Sequence, residues 1–352
     1  MKVEVIPYAL PFRQSYVTAR GVLERREMVL LRLQDEDGVV GLGEAVPLSL
    51  RGGVSLTQVV RELEEWAERQ KDKGLSPPAR CAVTTARADL LGRRAPDEGG
   101  REEVAVPCNA TLVAGAPEAA AADAERWAAD GFTTFKLKLG AESVDDRNYS
   151  GEARTREADV QQVRAVREAV GPEARIRIDV NGAWDIEIAK RTLAELEPFG
   201  IELAEQPVAG LEGMAELAAS TSIPLAADES VTNLAEAERA AELSACAYTG
   251  IKLSKVGGPE AALAIADVLP AYVTSALDGP VGIAAGAQVA LRLAGTGHPK
   301  RLELAHGLAT QRLFAESIAS VECELRDGML HLPPGPGLGV EIDEEALQAY
   351  RL

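Results

Sequence analysis

Two patterns of apolar spacing divide this chain at about residue 104. Before it, VEVIPYAL, EMVLLRLQ and VVGLGEAVP have strand length and composition, with a DEDG turn between the second and third. They predict a small antiparallel sheet. From Ser55 the period changes. LTQVVRELEEWAERQ and ARCAVTTARADLLGR place apolar residues at helical spacing and predict two amphipathic helices. The charged segment RRAPDEGGREE, with its proline and glycines, reads as a linker.

Beyond Val104 short apolar runs alternate with longer Ala-rich stretches. The strand candidates are VPCNATLV, TTFKLKLG, ARIRIDV, IELAEQP, IPLAADE, YTGIKLSKV, YVTSALD and RLELAHG. Helices such as PEAAAADAERWAAD, EADVQQVRAVREAV and GPEAALAIADVLP lie between them. Eight strands alternating with helices predict an α/β fold of the (β/α) barrel type. A doubly wound sheet is the competing architecture, but NATLVAGAPEAA lacks the glycine-rich phosphate loop expected after its first strand. The last stretch, from Asp327, reads as a turn, a Pro/Gly loop and a short strand or helix returning to the N-terminal part. The expected division is an α+β domain over 1–103, completed by 329–352, and a barrel over 104–328.

Composition narrows the partners. A formal charge of −18 over 352 residues argues against nucleic acid and anionic membranes. No apolar run is long enough to span a bilayer, and the start lacks the features of a signal peptide. Cys81, Cys108, Cys246 and Cys323 are scattered without a CxxC pair and read as buried thiols of a cytoplasmic protein. A homo-oligomer is compatible with this surface.

The chemistry sits near the C-terminal ends of the barrel strands, the face on which such barrels build their sites. Asp179, Glu205 and Asp228 end the third, fourth and fifth candidates, about one βα unit apart, and should converge at one height. Their combined charge is costly in a partly buried site without a cation. An all-oxygen set suits Mg²⁺, with Mn²⁺ as a substitute, and the lack of His or Cys disfavours zinc. Lys138 ends the second strand and Lys252 the sixth, so two ammonium groups face each other across the axis as acid/base candidates. Lys136 shares a face with Lys138 and is expected to lower its proton affinity. Lys255 is either a neighbour of the site or exposed.

These residues lie in the motifs KLK, DVNGAW, AEQP, ADES and IKLSKVGG. With them, over nearly its whole length, the chain resembles the enolase superfamily in its muconate-cycloisomerase-like branch. The resemblance implies a modified (β/α)₇β TIM-like barrel under an α+β capping domain. It implies Mg²⁺ on Asp179, Glu205 and Asp228, Lys138 and Lys252 as the acid/base pair, and a small-molecule carboxylate substrate. The reaction implied is abstraction of a proton α to a carboxylate through an enediolate. Within the branch, residues 273–286 (VTSALDGPVGIAAG) and Arg177, two residues before the first acid, resemble the o-succinylbenzoate synthases, lyases (dehydratases) of menaquinone biosynthesis. AHGLATQRLF has no Asp-x-Asp pair of the kind dipeptide epimerases carry after the eighth strand. An N-succinylamino acid racemase or a cycloisomerase would use the same constellation, and a barrel that binds a carboxylate without turnover is the third reading. Asn181, Ser275 and Asp278 join Lys136 and Arg177 as substrate contacts or supports of the site, Arg177 being equally readable as a structural ion-pair partner. Arg20 and Arg51 either meet a distal carboxylate or are plain surface residues. Residues 141–158 read as an inserted loop on the second strand, near the pocket, at an oligomer contact or simply solvated. His306 either lines the pocket or is a hydrogen-bonded strand-end histidine.

Overall fold

The computed structural model describes residues 1–18, 21–47, 53–95, 104–112, 116–140, 152–295 and 304–352. Arg20, Arg51 and residues 141–151 of the expected insertion lie outside them. So does most of the RRAPDEGGREE segment.

The N-terminal sequence forms the expected antiparallel sheet. Strands β1 (Lys2–Thr18), β2 (Gly21–Gln34) and β3 (Val40–Ala45) pair in that order. Helices α1 (Leu56–Arg69) and α2 (Pro77–Arg94) cover one face. Ser55 caps α1 by accepting the Gln58 amide, and Pro77 opens α2 where its missing N–H costs nothing. Val29, Leu31 and Leu33 of β2 pack on Val59, Leu63, Ala82 and Ala86 of the helices in a core of their own.

The first predicted barrel strand is broken. Strand β4 (Ala105–Pro107) turns away from the barrel to pair with a later hairpin, and β5 (Ala110–Leu112) alone joins the barrel sheet. The barrel continues through α3 (Pro117–Ala129), β6 (Thr134–Lys138), α4 (Glu152–Val170) and β7 (Arg175–Asp179). Then come α5 (Ile186–Leu196), β8 (Ile201–Glu205), α6 (Leu211–Ala218), β9 (Leu225–Ala227) and α7 (Leu234–Glu242). It ends in β10 (Tyr248–Ile251), a one-turn α8 (Leu253–Val256), α9 (Pro259–Val268), β11 (Ala271–Val273) and α10 (Pro280–Ala294). Residues 152–158 are thus the start of α4, so the expected insertion is shorter than its polar sequence suggests.

Seven parallel strands run in the order β5 to β11. Among its described residues the eighth candidate, RLELAHG, contributes only bridges. Gly307 pairs with Thr274 beyond β11, and His306 pairs with Cys108 before β5. The His306 amide donates to the Pro107 carbonyl at 2.7 Å and the Gly307 amide to Val273 at 2.8 Å. These bonds close the ring, giving a modified (β/α)₇β barrel beneath the N-terminal domain.

The C-terminal stretch serves both parts. Strands β13 (Glu324–Arg326) and β14 (Met329–His331) form a hairpin that pairs with β4, while β12 (Ala319–Val321) pairs with β15 (Glu341–Ile342). Helix α11 (Glu344–Tyr350) leads the chain back to β1, where the Leu352 amide donates to the Pro7 carbonyl. Asp89 of α2 accepts the Leu338 amide, and Arg93 donates to the Val340 carbonyl.

Candidate active site

Parallel register aligns the first residues of the site. Lys138, Asp179 and Glu205 are direct cross-strand neighbours at the ends of β6, β7 and β8. Asp228 stands slightly apart from this row, because Glu205 is level with Ala226 and Asp228 lies two residues further, just past the end of β9. Period-2 geometry nevertheless keeps it on the same inward face. In a ring of eight, β6 and β10 lie opposite one another, which sets Lys138 and Lys252 on opposite walls.

Lys252 is not inside a strand. The ladder of β10 stops at Ile251, and Lys252 is the N-cap of α8. The run YTGIKLSKV is therefore half strand and half helical turn. That turn aims Lys255 inward: its ammonium donates to Asp228 Oδ1 at 2.8 Å and to the Gly250 carbonyl at 3.1 Å. Lys252 donates to the other oxygen, Oδ2, of Asp228.

On the opposite wall Lys136 bridges two acids, with its Nζ 2.8 Å from Asp179 Oδ2 and 2.7 Å from Glu205 Oε2. Lys138 reaches the same Asp179 oxygen at 2.5 Å and Asn181 Oδ1 at 3.1 Å. Asp179, Glu205 and Asp228 are fully buried, whereas the Lys138 side chain keeps 22% of its surface open. Lys138 is therefore the ammonium group of the four most accessible to a ligand.

The electrostatics follow from this packing. Burial pushes the Asp179 carboxyl up, but Lys136 and Lys138 outweigh it and hold the group well below the usual carboxylate range. Burial and the neighbouring Asp179 charge raise Glu205. Burial favours neutral Lys136, yet the charges of Asp179 and Glu205 dominate and raise it above an ordinary lysine. The buried negative charge is thus balanced largely by lysines of the chain itself, which the strand pattern did not reveal.

Among the described residues no three Asp, Glu, His or Cys side chains stand in a ready metal cage, because ammonium groups lie between the acids. The donor set still fits a hard dication. All three acids offer oxygen only, and Glu205 Oε1 is buried without a hydrogen-bond partner. Asp179, Glu205 and Asp228 are the residues that could hold it.

The backbone is strained beside two of these acids. Asn181 has φ 53° and Gln206 φ 40°, both in the left-handed region. Gln206 is held there by its own side chain: Oε1 accepts the Asp228 and Ser230 amides, and Nε2 donates to Ser230 Oγ and the Val208 carbonyl. A cavity of about 440 Å³ opens at this rim, lined by Asn181, Gln206, Glu229 and Ser230 among others.

Other expected residues fall elsewhere. Arg177 is fully buried one layer below Asp179, donating to Glu202 and, at 2.6 Å, to the Ala305 carbonyl. Ser275 and Asp278 bond to one another at 2.8 Å, near Glu44 and Arg26 of the N-terminal sheet. His306 accepts the Val273 amide on Nδ1, and burial, then the Arg177 charge, brings it down to about 3, so it is neutral. Two residues near the acids were not anticipated. Tyr272 donates to Glu205 Oε2 at 2.5 Å, and burial and that carboxylate push its hydroxyl well up. Asp159 of α4 accepts the Gly140 amide at 3.1 Å and the Trp184 indole at 3.3 Å. The signal for Tyr272 was its inward parity with Thr274, on a strand otherwise apolar.

Residues 119–346 match the family described as Enolase C-terminal domain-like. The chain is 36% identical to the o-succinylbenzoate synthase of Thermobifida fusca (strain YX), over 78% of this chain and 82% of that protein. The crystal structure of a muconate lactonizing enzyme from Pseudomonas fluorescens complexed with muconolactone superimposes with a TM-score of 0.86. It has 28% identity and covers 100% of this chain and 98% of that one. A dipeptide epimerase from Cytophaga hutchinsonii, complexed with Mg and dipeptide D-Ala-L-Val, has a TM-score of 0.80 at 25% identity, covering 99% and 97%. The chain belongs to the enolase superfamily, in its muconate-cycloisomerase-like branch. That family comprises lyases, racemases, epimerases and cycloisomerases. Among the described residues no helix is long and apolar enough to cross a membrane.

Proposed function

We propose that this protein is a Mg²⁺-dependent lyase that abstracts the proton α to a carboxylate and expels hydroxide from the neighbouring carbon, an o-succinylbenzoate synthase of menaquinone biosynthesis. One observation carries the reading: Lys138, Asp179 and Glu205 stand in one row, Asp228 follows at the end of the next strand, and Lys252, bonded to Asp228, faces Lys138 across the barrel. Similarity to the Thermobifida fusca synthase supports the choice of reaction.

Lys138 is the accessible base. It takes the α-proton and returns it to the departing hydroxyl on the same face, and its bonds to Asp179 and Asn181 aim it. Lys252, desolvated and paired with Asp228, stays charged and stabilises the enediolate from the other face. A magnesium ion on Asp179, Glu205 and Asp228 would supply Lewis-acid stabilisation of the developing charge, with Mn²⁺ as a substitute. In this reading residues 1–103 with 329–352 cap a catalytic barrel of residues 104–328, and the small-molecule substrate binds between them. The free thiols of Cys81, Cys108, Cys246 and Cys323 support a reducing compartment, the cytoplasm.

A second reading, 1,1-proton transfer by an N-succinylamino acid racemase or dipeptide epimerase, draws on the same facing lysines and on the epimerase likeness. The test is incubation with Mg²⁺ in D₂O, once with the hydroxylated cyclohexadiene precursor and once with N-succinylamino acids and dipeptides. Loss of water from the precursor supports the synthase, and deuterium at the α-carbon of an intact amino acid derivative supports the second reading. Neither water loss nor exchange with any substrate would refute both and leave a carboxylate-binding barrel.

A further inference from the structure

Glu205 is held from one side only. Its Oε2 accepts from the Tyr272 hydroxyl at 2.5 Å and from the Lys136 ammonium at 2.7 Å. Its Oε1 is buried and accepts from nothing. Two donors on one oxygen fix the rotation of a carboxylate and hold the lone pairs of the other in set directions.

Tyr272 is itself fixed. It is fully buried on β11 and packs against Leu203, Ala226 and Leu304, an apolar set in the barrel interior. The Arg177 guanidinium lies 5.1 Å from the centre of its ring. A cation over an aromatic face is attracted to the ring. Arg177 is in turn tied to Glu202 and to the Ala305 carbonyl beside the ring-closing bridges. A continuous line therefore runs from the closure of the barrel, through Arg177 and Tyr272, to the unpartnered oxygen of Glu205.

We propose that Tyr272, braced by Arg177, is a positioning residue that presents Glu205 Oε1 to a divalent cation as a single-oxygen ligand. Its hydroxyl occupies Oε2, so the carboxylate cannot swing to chelate through both oxygens. The inference rests on the metal reading above and adds to it the two residues that orient one ligand.

Tyr272→Phe removes the hydroxyl and keeps the ring. Titration of Mg²⁺ into the metal-free protein, followed by calorimetry, should show binding weakened about 10- to 100-fold. The melting temperature of the metal-free variant should stay within a few degrees of the parent, and turnover should recover at saturating Mg²⁺. A purely structural role would instead lower the melting temperature and leave the cation affinity unchanged. Should Tyr272→Phe fail to fold, Arg177→Lys keeps the charge but loses the planar stack, and a several-fold loss of Mg²⁺ affinity is expected. Unchanged Mg²⁺ affinity in the folded variant would overturn the inference while leaving the metal reading intact. A parent protein that binds no Mg²⁺ would sink the metal reading first, and the inference with it.

Discussion

Glu44, at the end of the N-terminal sheet, accepts the backbone N–H of Gly279 at 2.7 Å, where α10 of the barrel begins. The Tyr8 hydroxyl donates to its other oxygen at 2.8 Å. The contact is so close that a Cβ on Gly279 would fall 2.3 Å from the Tyr8 oxygen and 2.7 Å from Glu44 Oε2. This buried acid ties the two parts of the molecule, from partners 235 residues apart in sequence.

Its titration should be visible in the stability of the protein. Burial first, then the Asp278 charge, pushes the Glu44 carboxyl up from its ordinary 4.5 to about 8. Between those values the folded protein holds a proton that the unfolded chain has released. The Glu44 contribution is therefore complete below pH 4.5 and lost as pH rises through 8. Burial raises Asp278 in the same direction. A tenfold difference in proton affinity between the folded and unfolded states is worth ~1.4 kcal/mol. Urea denaturation between pH 5 and 8 should show stability falling with pH in the parent and a flatter profile in Glu44→Gln. Equal slopes would rule out Glu44 as the titrating group.

Asp159 gives a second, more local expectation. It holds the Gly140 amide just beyond Lys138 and the Trp184 indole just beyond Asn181, so it ties together the loops that follow two strands of the site. Asp159→Ala leaves both donors without this buried acceptor and should cost about 1–3 kcal/mol. Trp184 is itself buried, so its fluorescence should shift to longer wavelength as water reaches the indole. Tm and emission spectra of the variant check both, and an unshifted spectrum would mean the indole is held by something else.

Much of this architecture was legible because period and burial agree. Helices α1, α2, α3, α4 and α9 follow from apolar spacing, and the acids and lysines stood out as polar residues closing apolar runs. Three features were not legible, each for a physical reason. The run YTGIKLSKV is apolar throughout, but only hydrogen bonding shows that its ladder stops before Lys252 and that Lys255 turns inward on a helix. VPCNATLV is divided between two sheets because β14, more than two hundred residues later, captures its first half. Closure through RLELAHG was expected, but that its described residues close the ring by single bridges at His306 and Gly307 is set by long-range pairing. The seating of Ser275 and Asp278 against Glu44, and of Arg177 beneath Asp179, is set by packing across the chain, not by the motifs that contain them.

The facing lysines make different demands on the two candidate reactions. In the lyase reading Lys138 must exchange a proton, whereas Lys252 need only remain charged. Arginine keeps the charge but does not give up a proton at neutral pH. Lys138→Arg should therefore lose about 10²- to 10⁴-fold in dehydration rate. Lys252→Arg should lose much less, while any racemisation should vanish in both variants. Steady-state rates on the cyclohexadiene precursor and α-deuterium exchange on N-succinylamino acids read this out. Equal losses of dehydration in the two variants would contradict the one-base assignment.

Lys136 sets the last expectation, because it bridges Asp179 and Glu205 while almost wholly buried. Removing one partner from a buried ionic group leaves uncompensated charge and typically costs about 3–5 kcal/mol. Lys136→Met keeps most of the volume and removes the charge, so in EDTA it should unfold at clearly lower urea than the parent. A dication on the same acids would replace part of the lost positive charge. Added Mg²⁺ should then stabilise the variant, by an increment that grows with the logarithm of its concentration above the dissociation constant. The parent, whose acids already have their ammonium partners, should gain less at the same Mg²⁺ concentration. Urea titrations of both proteins, each with EDTA and with Mg²⁺, measure the four midpoints needed. If Mg²⁺ moves neither midpoint, the three acids do not share a cation, and lysine alone neutralises them.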